Sequence, residues 1–290
     1  MGPYELLIAP FLEFPFMQRA LVGAIVLSLG ACPVGVFLML RRMSLTGDAM
    51  AHAILPGAAA GFLLFGLKLV PMTLGGLMVG LVVALLAGSI SRLTVQREDA
   101  SLAALYLISL AAGVLLVSMR GSSVDLMHVL FGTVLALDND ALLLIGGIAS
   151  VTLLALAVMW RALVAECFDP IFLRSVNGAG PAVHLLFLML VVLNLVGGFQ
   201  ALGTLLSVGL MMLPAATTRF WTRRLELMCL IAIMSGIISS IVGLLLSYHL
   251  SLPSGPSIIL TAGALYIASM LFGPLGLIAG QRPHRTHRTA

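Results

Sequence analysis

The run Gly47-Asp48-Ala49-Met50-Ala51-His52 places a carboxylate and an imidazole four residues apart. On a helix such residues stack on one face, with Cβ atoms roughly 5–6 Å apart. A carboxylate with an imidazole is a ligand set suited to zinc or manganese. Two ligands are too few to hold zinc alone, and a two-fold dimer would supply two Asp and two His. A plainer reading of Asp48 is that it follows a glycine at a helix start and caps the helix. His52 has no such alternative: it lies within an apolar run, where an ionisable group is expensive and points to function. The shared face of the two residues therefore favours ligation.

Other polar residues give less. Asn194 and Gln200 sit in apolar stretches and could line a path or join helices by hydrogen bonds. His184 lies near a span boundary and reads as structural. Asp125 and His128 flank a short apolar stretch, and with Glu5, Glu13, Asp138 and Asp140 they make one surface acidic, either a lure for cations or a solvated rim. His249 falls in a loop on that same side and reads as water-facing. Cys32, Cys167 and Cys229 form no CxxC and read as small core residues. The scattered methionines read as filler. Neither HExxH nor GxxxxGK[ST] occurs, and the single lysine, Lys68, lies in a loop. The chain thus has no phosphate-binding loop, and ATP-driven work would need another chain.

These residues are carried by elements that only a bilayer can solvate. Of 290 residues, 61% are hydrophobic and 9% charged, against roughly 25% charged in a soluble domain. Mean hydropathy is +1.16. A span needs about 20 apolar residues, and nine stretches qualify: 20–40, 49–67, 71–90, 100–118, 141–160, 183–199, 201–218, 227–247 and 257–275. Residues 126–137 are too short to cross and read as a short helix at the outer surface. Residues 1–19 hold a similar stretch interrupted by Pro10 and Pro15. Basic residues set the orientation. With the N-terminus outside, Arg41, Arg42, Arg92, Arg97, Arg161, Arg174, Arg219, Arg223, Arg224, Arg282, Arg285 and Arg288 lie inside, and only Arg19, Lys68 and Arg120 outside. That dispersal in short loops also excludes a nucleic-acid-binding face. The first apolar run is followed, not preceded, by arginines, so it reads as a retained span and not a cleaved signal.

The whole of 1–290 thus reads as one transmembrane domain. Its longest inner loop, 161–182, carries a helix-start signal at Asp169-Pro170 and a stop at Asn177-Gly178. Residues 281–290 form a basic, disordered tail, in which His284 and His287 read as incidental. Pro214 should kink the seventh span. Gly57 and Gly61 form GxxxG on the helix that carries Asp48 and His52, a signal of close helix contact.

The run from Arg41 to Gly57 closely resembles the permease signature of zinc and manganese ABC importers. Val124-Asp125-Leu126-Met127 with Leu130-Phe131-Gly132, Leu202-Gly203-Thr204-Leu205-Leu206 through Leu213-Pro214-Ala215-Ala216-Thr217, and Leu252-Pro253-Ser254-Gly255-Pro256-Ser257 agree in order. The resemblance covers nearly the whole chain. Cys32-Pro33-Val34-Gly35 looks more like the zinc-uptake branch. It implies an all-α, polytopic bundle of eight to nine spans plus the short outer helix, similar to type II ABC importers, in a bacterial inner membrane. It implies a second copy of the chain, cytoplasmic ATP-binding subunits and an extracytoplasmic metal-binding protein. It places a transient metal site at Asp48 and His52, for a transported divalent ion, zinc first and manganese or iron next, with no permanently bound cofactor. It makes Phe168, Asp169 and Pro170 the contact with the ATPase. Thr133 departs from the pattern, which often has an acidic residue after Phe-Gly. The competing expectation is an ion-gradient-driven secondary metal transporter, which often shows inverted repeats; none is visible here.

Overall fold

Proline punctuates the first helices. In this computed structural model, which describes residues 8–66, 68–96, 98–119, 137–168 and 180–280, helix α1 spans Ala9–Glu13 and α2 spans Pro15–Leu40. Pro10 and Pro15 each stand in the first turn of a helix, where a missing N–H costs nothing. They start helices and do not merely interrupt them, so the first span begins five residues before the expected Ala20. Then follow α3 (Ser44–Ala53), α4 (Leu55–Phe65), α5 (Leu69–Leu93), α6 (Glu98–Met119), α7 (Asn139–Phe168), α8 (Gly180–Leu202), α9 (Thr204–Thr218), α10 (Leu225–Leu250), α11 (Ser254–Phe272) and α12 (Leu277–Gly280). The described residues contain no strand.

Among the described residues, eight segments are long and apolar enough to cross a membrane, with α3 and α4 together forming one of them, Ser44–Phe65. The remaining expected span, α9, has 15 residues, about 22 Å of helix against a hydrocarbon core of about 30 Å. Pro214 lies inside it. Three boundaries differ from expectation in ways that matter. The second span starts at Ser44, which puts Asp48 inside a helix. The fifth continues to Phe168, so residues 161–168, expected in a loop, are helical. Its 30 residues make about 45 Å, longer than the membrane core needs. The sixth begins at Gly180. The outer segment with Asp125, His128 and Thr133, the loop residues 169–179 with Asp169 and Pro170, and the tail 281–290 lie outside the described residues.

The bundle is centred on α2 and α8, whose most apolar stretches are 72% buried, against 17% in α6. Helix α2 packs against α7, α8, α9 and α10. Outward-facing Met78, Leu107, Ile108, Leu154 and Val158 leave an apolar surface that lipid can solvate. Asn194 ties the centre together: its amide donates to Thr152 Oγ1 (2.8 Å) on α7 and to the Leu190 carbonyl (2.8 Å).

The second span is bent by its own sequence. Pro56 has no N–H, and the Gly57 N–H turns to the Ile54 carbonyl (3.1 Å). The Ala53 carbonyl is left for Ser109 Oγ of α6, which donates to it at 2.8 Å, the kind of side-chain repair that makes proline tolerable in a span. Beyond the bend α4 lies against α5 with no room for side chains. A Cβ on Gly57 would stand 2.1 Å from the Gly75 carbonyl oxygen, and one on Gly61 2.6 Å from that of Pro71. The GxxxG reading of this helix is the contact that the structure contains.

Candidate functional site

Helix α3 sets the site. It leaves α2 through a tight turn in which Met43 N–H donates to the Leu38 carbonyl (2.9 Å) and Arg42 N–H to that of Met39 (3.1 Å). This double bond pattern normally uses glycine at the left-handed position, but here Arg42 occupies it with φ 59°. Met43 takes the N-cap position of α3 without a side-chain bond. Asp48 is therefore inside the helix and does not cap it.

Asp48 and His52 face one another across one turn, with Nε2 3.7 Å from Oδ1. One ion with bonds of roughly 2.0–2.2 Å to each atom spans that gap. The Asp48 side chain is 66% exposed and that of His52 30%. The His52 ring lies against Tyr106 of α6, centroids 6.2 Å apart, and the same helix holds the Ala53 carbonyl through Ser109. The inner nitrogen, Nδ1, is buried with no hydrogen-bond partner among the described residues. Packing and not a hydrogen bond thus orients this imidazole, and Nε2 is the nitrogen offered outward. Among the described residues no three His, Cys, Asp or Glu come together as a ligand set. Asp48 and His52 alone make two donors, fewer than a zinc site holds.

The other expected residues are placed apart from this chemistry. Asn194 is 2% exposed and engaged with Thr152 as described. Gln200, near the end of α8, keeps Nε2 buried without a partner among the described residues. Phe168 ends α7 with 73% of its surface exposed. Cys32 is a core residue that donates to the Leu210 carbonyl (3.2 Å). Asp138 Oδ1 accepts the Ala141 N–H (2.8 Å) at the start of α7.

One cluster escaped the sequence. Arg41 at the end of α2 donates from Nη2 to Glu166 Oε1 of α7 (3.4 Å) and to Nδ1 of His184 on α8, and its guanidinium lies 5.1 Å from the centre of the Phe187 ring. Arg41 was legible only as a topology signal and His184 as structural, while Glu166 sat unremarked in an apparent loop. The available signal was an acidic residue four positions before Pro170 within a helix-compatible run.

The chain matches the model of the family described as "ABC 3 transport family" over residues 13–273. It is similar to the manganese import system permease protein ScaB of Streptococcus parasanguinis, 34% identical over 90% of this chain and 92% of that protein. It is also similar to the manganese transport system membrane protein MntC of Halalkalibacterium halodurans, 33% identical over 91% of this chain and 89% of that one. Among solved structures, PsaBC from Streptococcus pneumoniae in complex with Fab superposes with a TM-score of 0.83 at 32% identity, covering 94% of this chain and 97% of that chain.

Proposed function

The chain belongs to the ABC 3 transport family as a multi-pass permease subunit without an ATPase site of its own, and on that premise we propose that it imports manganese. The observation that carries this reading is the Asp48–His52 pair, 3.7 Å apart inside the span Ser44–Phe65. A carboxylate and an imidazole held there together suit a divalent transition metal. The relatives named above are manganese systems, which moves the preference from zinc to manganese.

In this reading a second copy supplies the other Asp48 and His52. The arginine-rich loops face the cytoplasm, where ATP-binding subunits dock near Phe168, Asp169 and Pro170. A metal-binding protein delivers the ion from the opposite side, with the N-terminus there and the C-terminus inside. A transported ion must bind well enough to enter and weakly enough to leave. Ligands shared across a two-fold axis meet both needs, because a small rotation of the copies changes all their distances together.

The test is a proteoliposome assay with permease, ATPase and binding protein, in which ATP and the loaded binding protein are omitted in turn. Manganese flux should need both. Flux that persists without ATP and follows a proton or sodium gradient would replace this reading with a secondary transporter. Zinc outcompeting manganese at equal concentration would overturn the choice of metal alone.

A further inference from the structure

The ion pair at the junction of α2, α7 and α8 has no part in the function so far. Its side chains are nearly out of solvent, with Arg41 9% and Glu166 5% exposed. Arg41 donates to His184 Nδ1, since a guanidinium carries donors and no acceptor. A buried ion pair is a poor way to gain stability, since apolar residues of the same size generally do as well; its best-attested use is to specify one arrangement over another. The second Glu166 oxygen, Oε2, is buried and unpartnered among the described residues, which a cluster built for stability alone would avoid.

The cluster's position in the chain says which arrangements it selects between. Glu166 stands two residues before Phe168 on the unbroken helix α7, at the end assigned above to the ATPase. Arg41 is the C-cap of α2, and the tight turn at Arg42 and Met43 leads from it directly into α3, where Asp48 lies seven residues on. A displacement of the α7 end that carries Glu166 therefore pulls on Arg41, and Arg41 has no flexible linker between itself and the ligand helix. We propose that Arg41 and Glu166, steadied by His184, are positioning residues that transmit movement of the ATPase-side end of α7 to the Asp48–His52 helix. The proposal rests on the permease reading.

The experiment uses the complete transporter in proteoliposomes and reads manganese ions moved per ATP hydrolysed. Glu166→Gln keeps the size and loses the charge. Arg41→Met with Glu166→Met removes the pair while leaving no buried charge behind, so it guards against a misfolded single variant. In both, ATP hydrolysis should stay within about twofold of the parent, while ions moved per ATP fall by about tenfold or more, the scale of a coupling between sites. An unchanged ratio in the double variant overturns the proposal, including the case where uptake and hydrolysis fall together because less complex assembles. If the parent transporter itself shows no ATP-dependent flux, the permease reading has failed, and that result is read before any variant is compared.

Discussion

Asp48 and His52 were legible because the helix period converts a spacing of four into a shared face, and the structure adds what spacing cannot hold. Nε2 points outward because Nδ1 is buried, and the Tyr106 ring sets the plane. Replacing either residue of the proposed site, Asp48→Ala or His52→Ala, should abolish manganese uptake while the ATPase still copurifies; full uptake in the double variant would remove the site. Tyr106 separates orientation from ligation. Tyr106→Phe keeps the ring and should transport normally, whereas Tyr106→Ala should raise the manganese concentration for half-maximal uptake by about tenfold, the low end for losing an orienting partner of a ligand histidine. Equal behaviour of the two Tyr106 variants would show that the ring does not position His52. Tyr106 and Glu166 were not legible because their partners, His52 and Arg41, are remote in sequence, and no local period links them. Asn194 left two readings open in the sequence, and its bonds to Thr152 and Leu190 supply the helix-joining one.

At the scale of elements, hydropathy located the spans well and their ends poorly. The starts are set by turn chemistry and not by apolar content, as Pro15 and Ser44 show. Helix α3 begins among Ser44, Thr46 and Gly47, residues polar or small enough to be mistaken for loop, because Met43 closes the preceding turn. Arg42 pays for that turn, since a left-handed non-glycine residue costs roughly 1–2 kcal/mol. Arg42→Gly should therefore leave uptake intact and hold or raise thermal stability in detergent, whereas Arg42→Val should lower both. The bend at Pro56 and the glycine contact of α4 with α5 form a second rigid unit. Gly57→Ala places a methyl group against the Gly75 carbonyl, and overpacking of this kind costs about 1–3 kcal/mol. The expected result is a permease that melts several degrees lower, with Asp48 and His52 chemically unchanged. A Gly57→Ala protein as stable as its parent would mean that α4 and α5 can separate freely.

At the scale of the molecule, the Asp48 side chain poses a problem that one copy cannot solve. It is 66% exposed on a helix that belongs to the membrane span Ser44–Phe65, where ionisable side chains are rare and are generally covered by protein or a water-filled cavity. Water or protein must cover it. Leu45, three residues before Asp48 and 74% exposed, lies on the same stripe of α3, so an apolar surface adjoins the carboxylate, and a purely aqueous cover would leave that leucine wet. A second copy packed around a two-fold axis, as proposed above, would cover both and bring a second Asp48 and His52. The chain has three cysteines, which can be replaced by alanine to give a clean background. In that background Leu45→Cys should form an oxidant-induced dimer in membranes, and bound manganese should slow its formation by holding the two α3 helices apart at ligand distance. Val158→Cys, 85% exposed on α7, serves as the lipid-facing control and should stay monomeric under the same oxidant. A dimer from Val158→Cys with none from Leu45→Cys would put the interface on the wrong face, leave Asp48 without a partner ligand, and sink the shared site.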